Sequence, residues 1–118
     1  MGKRTMTDQK SRTGADVLEE LYAVIEARKS GDPETSYTAK LFSDGREKIA
    51  RKMAEEAIEA VLASVTETPE RLASESADVL FHLLVLWADA GVQPADVWAE
   101  LAKRSGTSGI EEKRARSS

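Results

Sequence analysis

Apolar residues along the chain recur at intervals of three and four, and nothing in the pattern reads as a strand. Val17, Leu18, Leu21, Tyr22, Val24, Ile25 and Arg28 fall at helical spacing in a segment that begins at Ala15, and Gly31-Asp32-Pro33 closes it with loop chemistry. Ser36 can cap a short second helix, Tyr37 to Ser43, which stops at the turn pair Asp44-Gly45. A third helix is expected from about Arg46 to Val65. Thr68-Pro69 places a capping hydroxyl before a proline at the first helical position, and Gly91 is placed to end the fourth helix, about Pro69 to Ala90. Pro94 opens a shorter fifth helix with Val97, Trp98 and Leu101 on one side, fading at Arg104-Ser105-Gly106. The expected fold is all-α, about five helices, in which the short turn near Glu67-Thr68-Pro69 folds helices three and four into a central antiparallel pair.

The third helix has two unlike sides. Lys48, Arg51, Lys52, Glu55, Glu56 and Glu59 fall within an arc of roughly 140°, and Ile49, Met53, Ala57, Val61 and Val65 form the opposite stripe. Taken alone, the charged arc has an ordinary explanation, because Arg51 with Glu55 and Lys52 with Glu56 are i,i+4 pairs of the kind that decorate exposed helices. The fourth helix changes the picture. Glu75, Asp78 and His82 share a stripe about 60° wide, and Val79, Leu80, Phe81, Leu83, Leu84, Val85, Leu86 and Trp87 surround it. A helix so apolar is expected to be buried on nearly every side, so its acidic groups need a counter-charge: a basic side chain, a proton or a metal.

Antiparallel packing brings Glu56-x-x-Glu59 opposite Glu75-x-x-Asp78, and the spacing of three keeps each pair on one face. Four converging carboxylates make an oxygen-rich site of the hardness that magnesium prefers. Magnesium usually completes its shell with water and substrate phosphates, which gives Lys48, Arg51 and Lys52 a purpose: they can meet the phosphate oxygens the ion does not cover. One glutamate can then orient or deprotonate an attacking water. Together these features point to hydrolysis of a phosphoanhydride bond in a nucleotide.

Composition narrows the alternatives. A chain of 118 residues is one ordinary domain at the lower end of what buries a sizeable core unaided, and an aromatic fraction of 5% leaves few large side chains to fill it, so oligomerisation would supply missing burial. The absence of cysteine and the single histidine exclude disulfides, thiolate sites and multi-histidine zinc sites, leaving oxygen ligands for any metal. A net charge of -4 argues against nucleic acid as a partner. No signal-peptide core stands at the N-terminus and no apolar run approaches the roughly 20 residues that cross a bilayer, so no membrane partner and a cytoplasmic location are expected. Gly2 does not make a myristoylation site, because Met6 stands where Ser or Thr is needed.

The pattern Glu56-x-x-Glu59, fifteen intervening residues, Glu75-x-x-Asp78 resembles the signature of the all-α, MazG-type nucleotide pyrophosphohydrolases. Within that superfamily the stretches SYTAKLFSDGREKIARKMAEEAIEAV, ESADVLFHLLVL and GTSGIEEK look like the phosphoribosyl-ATP pyrophosphatase family of histidine biosynthesis. The likeness runs from about Val17 to Lys113, and SYTAKL and GTSGIEEK are its most specific parts. The resemblance implies a MazG-like bundle completed as a homodimer, with helices exchanged or packed across the interface. It also implies magnesium-dependent hydrolysis of phosphoribosyl-ATP to phosphoribosyl-AMP and pyrophosphate, the second step of the pathway. Glu55, Glu56, Glu59, Glu75 and Asp78 match the family's metal-site motif, which makes Glu56, Glu59, Glu75 and Asp78 the expected ligands and Glu55, Glu56 and Glu59 the expected catalytic groups. Tyr37, Thr38, Lys40, Lys48 and Lys52 match its conspicuous polar positions and, with Arg51, are expected at the substrate. The chain has no room for the phosphoribosyl-AMP cyclohydrolase to which this activity is often fused, so a separate protein is expected to act next. Two other readings remain: a house-cleaning pyrophosphohydrolase of (deoxy)nucleoside triphosphates with the same metal site, and a non-enzymatic helical interaction module.

Other residues have plainer explanations. His82, alone on an apolar helix, reads as a packed, hydrogen-bonded side chain that can orient Asp78. Trp87 and Trp98 read as core or dimer anchors, and Lys113, Arg114 and Arg116 as a solvated tail. Tyr37 and Thr38 can serve either phosphate binding or capping. Residues 1–14 read as a disordered polar lead, 15–105 as the all-α catalytic domain and 106–118 as a polar tail, mobile or ordered against a partner.

Overall fold

The structure, a computed structural model, describes residue 14 and residues 16–105; the expectations for the rest of the polar lead and for the tail lie outside the described residues. Within that range the chain forms five helices: α1 Asp16–Ala27, α2 Tyr37–Asp44, α3 Arg46–Thr66, α4 Pro69–Ala90 and α5 Pro94–Ser105. The class is all-α, and each helix lies where its hydrophobic period places it. Arg28, counted with the first helix, falls just beyond it, its amide donating to the Val24 and Ile25 carbonyls in the closing turn.

Local chemistry fixes the boundaries. The Ser36 hydroxyl oxygen accepts the Ala39 amide at 3.1 Å and starts α2. Gly45, at φ 96°, ends α2 and starts α3, a backbone conformation that a side chain would strain. Thr68 accepts the Arg71 amide ahead of Pro69, and Gly91 closes α4 in the left-handed region at φ 78°, its amide donating to the Trp87 carbonyl.

Tyr22, Ile25, Leu41, Ile49, Leu84, Val85 and Ala88 make one core, with Leu18, Leu21, Phe42, Phe81, Leu86 and Trp87 packed around it. These residues belong to α1, α2, the start of α3 and the second half of α4, so the core gathers at one end of the molecule. Trp87 and Trp98 meet edge to face at a centroid distance of 6.2 Å, and the Trp98 indole donates to the Glu19 carboxylate, which docks α5 onto α1. The Tyr22 hydroxyl lies 2.8 Å from the Val92 carbonyl, pinning α1 to the α4–α5 connection. Arg46, at the start of α3, reaches Asp89 at 2.7 Å.

The most extensive helix pair is α3 against α4. Its far end corrects the expected apolar stripe. Ile49 is fully buried, but Val61 is 65% and Val65 76% exposed. Each step of four residues advances about 40° beyond a full turn, so a stripe drawn from Ile49 to Val65 drifts by about 160° and leaves the inner face. Small residues take its place there: Ala63 is buried and Ala60 partly so, while Ile58, Val61, Leu62 and Val65 form an exposed apolar face. α4 is likewise not buried all round, since Leu80 is 43% exposed.

Candidate active site

On the helical wheel of α3, Glu56 lies between Ile49 and Ala63, the two buried positions of that helix, so it shares the face turned to α4. Glu55 and Glu59 are rotated from it by about 100° and 60°, and both are exposed. On α4, Glu75 is buried, at 7% exposure, whereas Asp78 is exposed. Asp78 therefore departs from the expectation that every carboxylate of this helix is sheltered. The fold brings together one carboxylate oxygen from each of Glu56, Glu75 and Asp78, all within 4.8 Å of one another. Glu59 stands outside that trio.

Two cationic or hydrogen-bonding groups flank the trio. On one side Arg71 bridges two acids, its Nε donating to Glu67 and its Nη2 to Glu75, each at 3.0 Å. The Glu67 and Glu75 carboxylates raise its guanidinium above the ordinary arginine value, with Glu59 adding to the effect from α3. Arg71 was not singled out in the sequence, although it carried a signal: four residues before Glu75, it falls within the same narrow stripe of α4 as Glu75, Asp78 and His82.

On the other side stands Tyr37, the first residue of α2, whose hydroxyl is 3.0 Å from Nε2 of buried His82. Nδ1 of the same ring is 2.8 Å from the Asp78 backbone carbonyl. A carbonyl only accepts, so Nδ1 carries a proton; in the neutral ring Nε2 is then the acceptor and the Tyr37 hydroxyl donates to it. The ring thus holds the backbone of Asp78 and not its carboxylate. Partial burial pushes the Tyr37 hydroxyl above its ordinary value, Lys52 pulls it down, and Glu56, Asp78 and Glu55 push it up again. The Tyr37 hydroxyl is thus within electrostatic reach of Lys52, Glu55, Glu56 and Asp78, all of them predicted for substrate or metal.

The remaining candidates are less concentrated. Lys52 is half-buried and pairs with Glu55 at 3.5 Å, an i,i+3 contact in place of the expected Glu56. Lys48 and Arg51 are exposed on α3, and Thr38 is half-buried at the start of α2. Lys40 pairs with Asp44 at 3.6 Å and lines a cavity with Pro33, Glu34, Ser43 and Asp44 that contains none of the predicted acidic ligands.

The trio suits a hard divalent cation chemically. It offers carboxylate oxygens only, from two rigid helices, and carries more negative charge than Arg71 neutralises.

Comparison with known proteins agrees with this chemistry. Residues 18–105 match the family model described as phosphoribosyl-ATP pyrophosphohydrolase. The chain is 64% identical over 100 residues to a phosphoribosyl-ATP pyrophosphatase of Paramagnetospirillum magneticum, covering 85% of this chain and 92% of that protein. It is 60% identical over 107 residues to one from Azospirillum brasilense, covering 91% and 96%. It is 59% identical over 103 residues to one from Rhodospirillum rubrum, covering 87% and 88%. A non-enzymatic module is thereby set aside, and the chain belongs to the phosphoribosyl-ATP pyrophosphohydrolase family of hydrolases.

Proposed function

We propose that this protein hydrolyses phosphoribosyl-ATP to phosphoribosyl-AMP and pyrophosphate, the second step of histidine biosynthesis, with magnesium held by Glu56, Glu75 and Asp78. The single observation that supports this most is the convergence of those three carboxylates in a chain of this family. Bound magnesium would neutralise phosphate oxygens and make a nearby water more acidic. The protein's own groups do the rest. Lys52 and Tyr37, whose hydroxyl feels the charges of Lys52, Glu56 and Asp78, are the candidates to bind and orient the phosphates, with Lys48 and Arg51 along the same helix. Glu59 and Glu55, exposed beside Glu56, are the candidates to take the proton as a water oxygen bonds to phosphorus and the anhydride P–O bond breaks. Glu59 can also complete the ion's shell, as its place in the motif implies.

The exposed apolar face of Ile58, Val61, Leu62 and Val65 supports a homodimer, since a helix face of this kind is ordinarily covered. The rest of the reading follows from the sequence: residues 15–105 as the catalytic domain, a cytoplasmic location, a separate phosphoribosyl-AMP cyclohydrolase for the next step, and neither nucleic acid nor membrane as partner. No helix among the described residues is long and apolar enough to cross a membrane.

The test is direct. Purified protein with phosphoribosyl-ATP and magnesium should release pyrophosphate, and chelation should stop it. No release from that substrate together with turnover of a deoxynucleoside triphosphate would move the protein to the house-cleaning branch.

A further inference from the structure

Arg71 holds Glu75 in a way that goes beyond a surface ion pair. Exposed i,i+4 pairs contribute little, because both side chains must be ordered against solvent. Here Glu75 is nearly buried, at 7% exposure, and although the Arg71 and Glu67 side chains are 55% and 41% exposed, the one guanidinium contacts both acids at once, Glu67 standing at the end of α3. The contact engages Oε1 of Glu75, the residue that also offers a carboxylate oxygen to the trio. We infer that Arg71 is a positioning residue: braced by Glu67 across the α3–α4 turn, it fixes the Glu75 carboxylate in the orientation that a divalent cation requires. This rests on the reading that the cation binds at Glu56, Glu75 and Asp78.

A phosphate-binding role for Arg71 fits the charges less well. Two carboxylates share one guanidinium, so the ladder Glu67–Arg71–Glu75 carries a net negative charge and does not make an anion receptor. The ladder is suited to order. A free glutamate side chain loses rotamer freedom when it binds an ion, and one already held loses less.

Orientation and simple electrostatics predict opposite signs, which makes the inference testable. Arg71 is a cation beside a cation site, so on charge alone its removal would tighten divalent binding. If it orients Glu75, removal loosens binding. Manganese binding to the full chain is to be titrated by calorimetry and by electron paramagnetic resonance, for the parent and for Arg71→Ala, Arg71→Lys, Glu67→Gln and Glu56→Ala, with circular dichroism as the fold control. We expect Arg71→Ala to weaken binding about tenfold, in the range found when a group that orients a metal ligand is removed. Arg71→Lys, whose ammonium cannot span both acids in the same fixed geometry, and Glu67→Gln should each weaken it about threefold. Arg71→Lys, which keeps the positive charge and changes only the geometry, carries the test should Arg71→Ala fail to fold. Binding unchanged or tighter in the Arg71 variants, with Glu56→Ala abolishing it, overturns the positioning role and leaves the site standing. Parent binding that Glu56→Ala does not reduce overturns both.

Discussion

The Tyr37 hydroxyl donates to Nε2 of His82, 45 residues away in the chain, and so ties the first residue of α2 to the helix that carries Glu75 and Asp78. The Asp78 carbonyl on Nδ1 sets the tautomer of the neutral imidazole, and the Tyr37 hydroxyl satisfies the nitrogen that remains. The bond also sets Tyr37 between two candidate purposes read from the sequence, capping and phosphate contact: the cap of α2 is Ser36, which frees Tyr37 to face the site.

Tyr37→Phe removes that donor and keeps the ring that stacks on Phe81 at 6.3 Å. The expected cost is about 1 kcal/mol, which lowers the melting temperature by roughly 4–8 °C in a domain of this size. Scanning calorimetry checks it. An unchanged midpoint would show that the hydroxyl contributes nothing to docking α2.

Glu56→Gln and Asp78→Asn should each lower magnesium-dependent turnover by at least about 100-fold, as loss of a direct ion ligand is expected to exceed the 10- to 100-fold effect of losing an outer partner. Without divalent ions both variants should fold at least as well as the parent, since each removes one of three neighbouring negative charges. Added magnesium should raise the melting temperature of the parent and not of the variants. A parent midpoint indifferent to magnesium would contradict ion binding at the trio.

Tyr22 predicts an alkaline limit to stability. Burial, the bond to Glu26 and the negative charges of Glu26 and Asp96 push its hydroxyl from 10.0 up to about 12. The folded state thus favours the protonated phenol. Its contribution is complete below pH 10 and is lost as pH rises from 10 towards 12. Urea denaturation at pH 9 and at pH 11 should show a steeper loss for the parent than for Tyr22→Phe. Parallel losses would exclude Tyr22 as the group responsible.

Val61→Asp and Val65→Asp place charges on the exposed apolar face of α3, far from the core. Sedimentation velocity should find the parent as a dimer and the double variant as a monomer, with helical content retained. A parent that sediments as a monomer at micromolar concentration would remove the homodimer from the reading.

The sequence alone determined the five helices, their caps and the two acidic motifs, because these depend on contacts within four residues along the chain. Ser36, Gly45, Thr68-Pro69 and Gly91 act through their own backbone neighbourhood, so their meaning needs no distant partner. Which side of a helix turns inward is another matter, because it is set by the neighbour's shape. Val61 and Val65 follow Ile49 and Met53 at four-residue intervals, but the drift of about 40° per step carries them to the outer side, and Ala60 and Ala63 stand on the inner face instead. The same rotation puts Glu56 with Glu75 and Asp78 and leaves Glu59 beside them. Only the packed helices could decide that the Glu75 partner of Arg71 is buried, and that Tyr37 meets His82. A linear spacing specifies which residues share a stripe, but the angle and depth at which two stripes meet follow from the side chains between them.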